Sequence, residues 1–145
     1  MCGIIGGIGE RNMVPVLLAG LSRLEYRGYD SAGLAVVAGG ELIRRRREGK
    51  VAALREAVEG KGLEGHRGIA HTRWATHGSP CTDNAHPHTA ADRVAVVHNG
   101  IIENHTEVRA ELEAEGYAFT SQTDTETIPF LIHRELSAGQ GLLEA

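Results

Sequence analysis

The sequence predicts a layered α+β fold, and three patterns point to it. A continuous apolar run, Ala32 to Ala38, leads through Gly39-Gly40 into a second strand-like stretch, Glu41 to Arg47. That is the pattern of a hairpin with a two-residue turn, whose first strand is covered on both faces. Ahead of it, Val14, Leu17, Leu18, Leu21 and Leu24 recur at helical spacing. Two later segments open with capping-box patterns and carry apolar faces that need a sheet to cover them.

Taken in order, Gly3 to Ile8 reads as a short buried strand beginning almost at the first residue. The helix that follows has Asn12 as its cap and Gly28 as its stop. After the hairpin, Val51 to Val58 has the spacing of a short amphipathic helix. Gly68 to Thr76 and Arg93 to Val97 read as two further strands, separated by a polar, proline-containing loop from Gly78 to Asp92. Asn104 with Glu107 opens a helix running to about Glu115. Thr123 with Glu126 opens another, through Ile128, Leu131, Ile132 and Leu136, which Gly139 ends.

Composition narrows the function classes. The 145 residues suit one domain or part of one, and 41% hydrophobic with 23% charged is ordinary for a globular chain. A net charge of −4 gives no reason to expect nucleic acid, and Arg44 to Arg47 reads as one solvated strand face. No apolar run approaches the roughly 20 residues that span a bilayer. The opening MCGIIGGIGE lacks the basic segment of a secretory signal, which points to the cytoplasm. A reducing compartment argues against pairing Cys2 with Cys81.

Four stretches carry residue types suited to chemistry. Cys2 stands one residue from the start, beside the small Gly3. With Met1 removed, its thiol lies next to a free α-amine whose pKa, about 7.7–8.0, is close to the thiol's about 8.5. Nucleophile and general base then come from one residue; the plain alternative is an inert small side chain in a first strand. In His71-Thr72-Arg73-Trp74-Ala75-Thr76-His77-Gly78, Arg73 offers a planar fork for a carboxylate. A surface ion pair for Arg73 and a core anchor for Trp74 are equally open. Val97-His98-Asn99-Gly100 places a side-chain amide beside a glycine N–H, one way to hold an oxyanion, or simply a turn. Asp124, in Thr-Asp-Thr-Glu, is suited to an ammonium or to capping its helix. The histidines His86, His88 and His98 lack the spacing of a metal site, and no metal or cofactor is expected.

Together these residues resemble a known family. The Met-Cys-Gly-Ile-Ile-Gly start is similar to that of N-terminal-nucleophile (class II) glutamine amidotransferases. RLEYRGYDSAG, GIAHTRWATHG, NAHPH, VVHNGIIENH and TDTE then resemble, in order, the glutamine–fructose-6-phosphate aminotransferase branch. The resemblance implies a four-layer αββα sandwich in which Cys2 attacks the glutamine carboxamide. It further implies that Asn99 and Gly100 form the oxyanion hole. Arg73, helped by Thr76 and His77, would hold the substrate carboxylate, and Asp124 its ammonium. Trp74 would gate ammonia and Arg27 would shape the site. It also implies a domain truncated at Ala145, with the later part and the sugar isomerase domain absent. Fructose 6-phosphate would then be met only through that absent domain, in an intact homodimer.

Overall fold

A computed structural model describes residues 2–75 and 78–145. Along the chain lie β1 (Gly3–Ile8), α1 (Val14–Leu24), a 3-10 turn (Glu25–Arg27), β2 (Ser31–Ala38), β3 (Glu41–Glu48), α2 (Val51–Val58) and β4 (Arg67–Arg73). There follow β5 (His88–Ala90), β6 (Val94–Val96), α3 (His105–Ala114), a second 3-10 turn (Asp124–Glu126) and α4 (Thr127–Ser137).

The first sheet has the order β1-β4-β2-β3, antiparallel throughout. Alternation along β2 and β4 sends Ala32, Leu34, Val36 and Ala70 towards α1 and α2, where Leu17, Leu18, Leu21, Leu54 and Val58 complete the larger core. Leu17 is fully buried, and truncating it to alanine would cost about 2–5 kcal/mol. A second core joins Ala90 and Val94 of the β5–β6 ribbon to Leu112 of α3 and Phe130 of α4. The ribbon faces the first sheet across Arg44 and Arg46, which donate to carbonyls of Pro87, Asp83 and Ala85. Gly33 permits the close approach: a Cβ there would collide with the His86 carbonyl. Helices, sheet, sheet, helices is the expected αββα layering.

Several local expectations are corrected. Among the described residues β1 is an edge strand, paired with β4 alone, and its Ile8 is 80% exposed. The arginines of β3 do not form one face; a strand sends neighbours to opposite sides. Arg44 and Arg46 grip the 83–87 loop, while Arg45 and Arg47 fold back on their own strand. The stretch Gly78 to Asp92 contains β5, paired to β6 through Ala91 and Asp92, both at positive φ. β4 ends at Arg73, short of Trp74 and Ala75.

Helix ends differ as well. Asn12 does accept from an α1 amide, that of Val14, at 3.0 Å, and Gly28 follows the 3-10 turn. Neither capping box forms: Asn104 and Thr123 make no side-chain cap bond. Thr123 Oγ1 bonds His88 instead, and Glu126 turns back to collect the amides and hydroxyls of Thr120 and Ser121. For Thr123 a tertiary partner, His88 of β5, replaces the local one.

Candidate active site

Register brings the first residues to the site. Gly3 pairs with Thr72 of β4, and its N–H donates to Thr72 Oγ1 at 3.2 Å. Cys2 therefore leaves the strand beside the end of β4. There the Trp74 N–H donates to Cys2 Sγ at 3.2 Å, and the Trp74 carbonyl lies 3.7 Å from the same sulfur. Two bonds to Asp30 fix this stretch: Asp30 N–H donates to the Arg73 carbonyl, and Ala75 N–H donates to Asp30 Oδ2 at 2.6 Å.

Alternation on β4 puts His71 and Arg73 on the face opposite Ala70, towards the second sheet. Arg73 is buried, and its guanidinium donates to the carbonyls of Ser79 and Gly78 at 3.3 and 3.4 Å. Burial lowers its pKa from the usual arginine value, against the opposing pull of Cys2, Cys81, Asp30 and Asp124; it remains a cation near neutrality. Asn99 reaches across from the chain after β6. Its Nδ2 donates to the Cys2 carbonyl at 3.1 Å, and its Oδ1 lies 2.8 Å from His71 Nε2. Asp124 is buried at the second 3-10 turn, where Oδ2 accepts from Ile102 N–H at 2.7 Å and Oδ1 from Thr125 N–H at 2.9 Å. Glu126 anchors that turn. Burial opposes its ionisation, but the bonds from Ser121 and Thr120 prevail and hold its carboxyl below the usual value.

Three histidine rings pack behind these groups. His86 stacks on His71 with centroids 4.2 Å apart, and His88 meets His86 edge-on. Burial dominates all three, taking His71 to about 4, His88 to about 3 and His86 lower still, so the rings are neutral at pH 7.

Cys2, Arg27, Arg73, Trp74, Asn99, Gly100 and Asp124 all line one cavity of about 400 Å³. Trp74 is partly exposed and meets Tyr29 edge-on at 5.6 Å. Thr76 and His77 lie outside the described residues. The sequence motifs do not single out His71, Asp30, Thr125 or Ile101, which the fold brings to the cavity or its supports. His71 was legible in principle, since it sits two residues from Arg73 and so on the same strand face. Among the described residues, no group of three His, Cys, Asp or Glu side chains is placed to hold a metal ion, and no helix is long and apolar enough to cross a membrane.

The cavity thus offers a thiol, a fixed cation, a fixed carboxylate and amide donors. That set suits a zwitterionic amino acid with a reactive carbonyl. Comparison with known proteins agrees in kind. Residues 71–144 match the model of a glutamine amidotransferase domain. Over its whole length the chain is 62% identical to a glutamine–fructose-6-phosphate aminotransferase (isomerizing) of Pseudomonas putida and 59% identical to that of Escherichia coli K12. It spans 24% of the length of each of these curated relatives. Among solved structures, it superposes on glutamine phosphoribosylpyrophosphate amidotransferase from B. subtilis, complexed with ADP and GMP. The TM-score is 0.81 at 26% identity, covering 99% of this chain and 31% of that one. An allosteric regulatory enzyme of purine biosynthesis gives a TM-score of 0.76 at 28% identity, covering 99% and 30%. The chain belongs to the glutamine amidotransferase domain family.

Proposed function

We propose that this chain carries the glutamine-hydrolysing site of a glutamine–fructose-6-phosphate aminotransferase, with Cys2 as nucleophile once Met1 is removed. One observation carries the reading: Cys2, Arg73, Asn99, Gly100 and Asp124, from four separate stretches of chain, line a single cavity. Arg73 and Asp124 present opposite charges for the α-carboxylate and α-ammonium of glutamine, leaving its carboxamide for the thiol.

The steps then balance. The Cys2 thiol proton passes to the α-amine as sulfur bonds to the carboxamide carbon, and the carbonyl electron pair becomes an oxyanion near Asn99 and Gly100. Collapse breaks the C–N bond, and the amine returns the proton to the departing nitrogen as ammonia. Water then adds to the thioester with the same amine as base; glutamate leaves and the thiol is restored. In the intact protein the ammonia passes, beside Trp74, to fructose 6-phosphate on a sugar isomerase domain, and two copies pair. Identity near 60% with sugar aminotransferases, against 26% with the phosphoribosylpyrophosphate enzyme, favours this branch over a purine-pathway amidotransferase.

The test is mass spectrometry combined with covalent capture on the intact protein. Active material is expected to begin at Cys2 and to be labelled there by a diazoketone analogue of glutamine, with glutamine protecting. Hydrolysis by protein that retains Met1, or labelling that survives Cys2→Ala, would refute the mechanism.

A further inference from the structure

The hydrogen-bond chain from Cys2 through Asn99 can be followed one residue further, to a group that the mechanism above does not use. A carbonyl oxygen only accepts, so the atom of Asn99 facing the Cys2 carbonyl at 3.1 Å must be its NH2. The other end of the amide, Oδ1, is then the atom that lies 2.8 Å from His71 Nε2. Oδ1 also only accepts, so His71 must carry its proton on Nε2 and donate it. Each assignment forces the next, and a flipped Asn99 amide would set two acceptors against each other at Cys2. The imidazole is itself held: His71 is buried on β4 and stacked on His86 with 17° between the ring planes. His86 is fixed in turn, its Nδ1 accepting the His98 N–H at 3.3 Å.

We propose that His71 is a positioning residue for glutamine hydrolysis, holding the Asn99 amide with its NH2 turned towards the Cys2 backbone carbonyl, in the cavity that Cys2 and Asn99 both line. The inference rests on the oxyanion role of Asn99 given above. An amide free to rotate would present Oδ1 to the developing negative charge for part of the time, and Oδ1 repels it. The ring donor removes that orientation before substrate arrives, which is the preorganisation an oxyanion donor needs. A buried histidine that merely fills space would contribute stability but would have no selective effect on the chemical step.

The experiment uses the geometry of the substitutes. A glutamine amide reaches the position of His Nε2, whereas an asparagine amide reaches only that of Nδ1. Glutamine kinetics on the intact protein are compared for His71→Gln, His71→Asn, Asn99→Ala and the double variant His71→Asn/Asn99→Ala, with a thermal melt for each. His71→Asn is expected to lower kcat about tenfold or more with KM changed less than about twofold, and His71→Gln to restore most of the rate. In the Asn99→Ala background His71→Asn should have no further effect, because the group it orients is gone. Equal rates for His71→Gln and His71→Asn, or multiplicative losses in the double variant, would overturn the positioning role while leaving the hydrolysis mechanism intact. Parental kcat in Asn99→Ala would instead remove the oxyanion role itself, and the positioning role with it.

Discussion

The Trp74 N–H donates to Cys2 Sγ across 3.2 Å, although 72 residues separate the two. Antiparallel pairing of β1 with β4 makes the contact, since it brings the residue before Gly3 beside the residues after Thr72. Among the described residues, the hydrogen bonds of this cavity-lining sulfur are with backbone.

If that sulfur is the nucleophile, Cys2→Ala abolishes both ammonia release and labelling by a glutamine-like electrophile. Cys81→Ser serves as the contrast. Cys81 is a free, half-buried cysteine and does not line the cavity. Its loss is expected to leave hydrolysis within about a few-fold of the parent, for comparison with the Cys2 loss. A large drop in the Cys81 variant would contradict the assignment.

Arg73 and Asn99 separate by kinetics. A carboxylate is present in ground and transition states alike, so Arg73→Lys should chiefly raise KM for glutamine, by roughly 10–100-fold. The oxyanion exists only along the reaction path, so Asn99→Ala should lower kcat, by about 10²–10³. Steady-state kinetics with the opposite pattern would reverse the two roles.

Gly100 has no room for a side chain. A Cβ would lie 2.5 Å from His98 Nε2, and that ring is tied through Nδ1 to Thr125 Oγ1 at 3.2 Å. Gly100→Ala should therefore displace either the His98 ring or the backbone of Gly100, a residue that lines the cavity. The expected outcome is a loss of kcat of about tenfold or more with a near-parental melting temperature. Unchanged kcat would show that the backbone here has slack.

Acid should destabilise the protein through its buried histidines. Folded-state values of about 4 for His71 and about 3 for His88, with His86 lower, lie below the unfolded value near 6.5. Between these limits the unfolded chain binds more protons, so stability falls as pH drops below about 6.5 and levels only below the folded values. The slope approaches about 1.4 kcal/mol per pH unit for each such histidine. Denaturant melts from pH 7.5 to 4.5 measure it. A flat profile would mean that the rings protonate freely in the folded state.

The β5–β6 turn stores removable strain. Ala91 sits at φ 47°, a left-handed conformation that disfavours a Cβ. Ala91→Gly should raise stability by about 0.5–1 kcal/mol after the added chain entropy of glycine is counted. A urea midpoint that stayed put or fell would dismiss the strain.

What the sequence determined by itself was largely local. Helical spacing at Val14 to Leu24, the apolar run at Ala32 to Ala38 and the Gly39-Gly40 turn are set by periodicity and backbone freedom, and those elements stand where expected. The wording of five motifs also sufficed to place the chain in its family. Tertiary structure decided what depends on partners distant in sequence. β5 is three residues long and turns through Ala91-Asp92, neither a glycine, so only its pairing with β6 reveals it. The capping pattern at Thr123 was overridden because the Thr123 hydroxyl found a distant partner in His88 of β5, while Glu126 turned back to the nearby Thr120 and Ser121. The same holds for the site. Residue types named Cys2, Arg73, Asn99 and Asp124, but the meeting of Cys2 with Trp74 and of Asn99 with His71 follows from sheet register and layer packing. No local pattern encodes either contact, because each joins segments that the chain separates and the fold brings together.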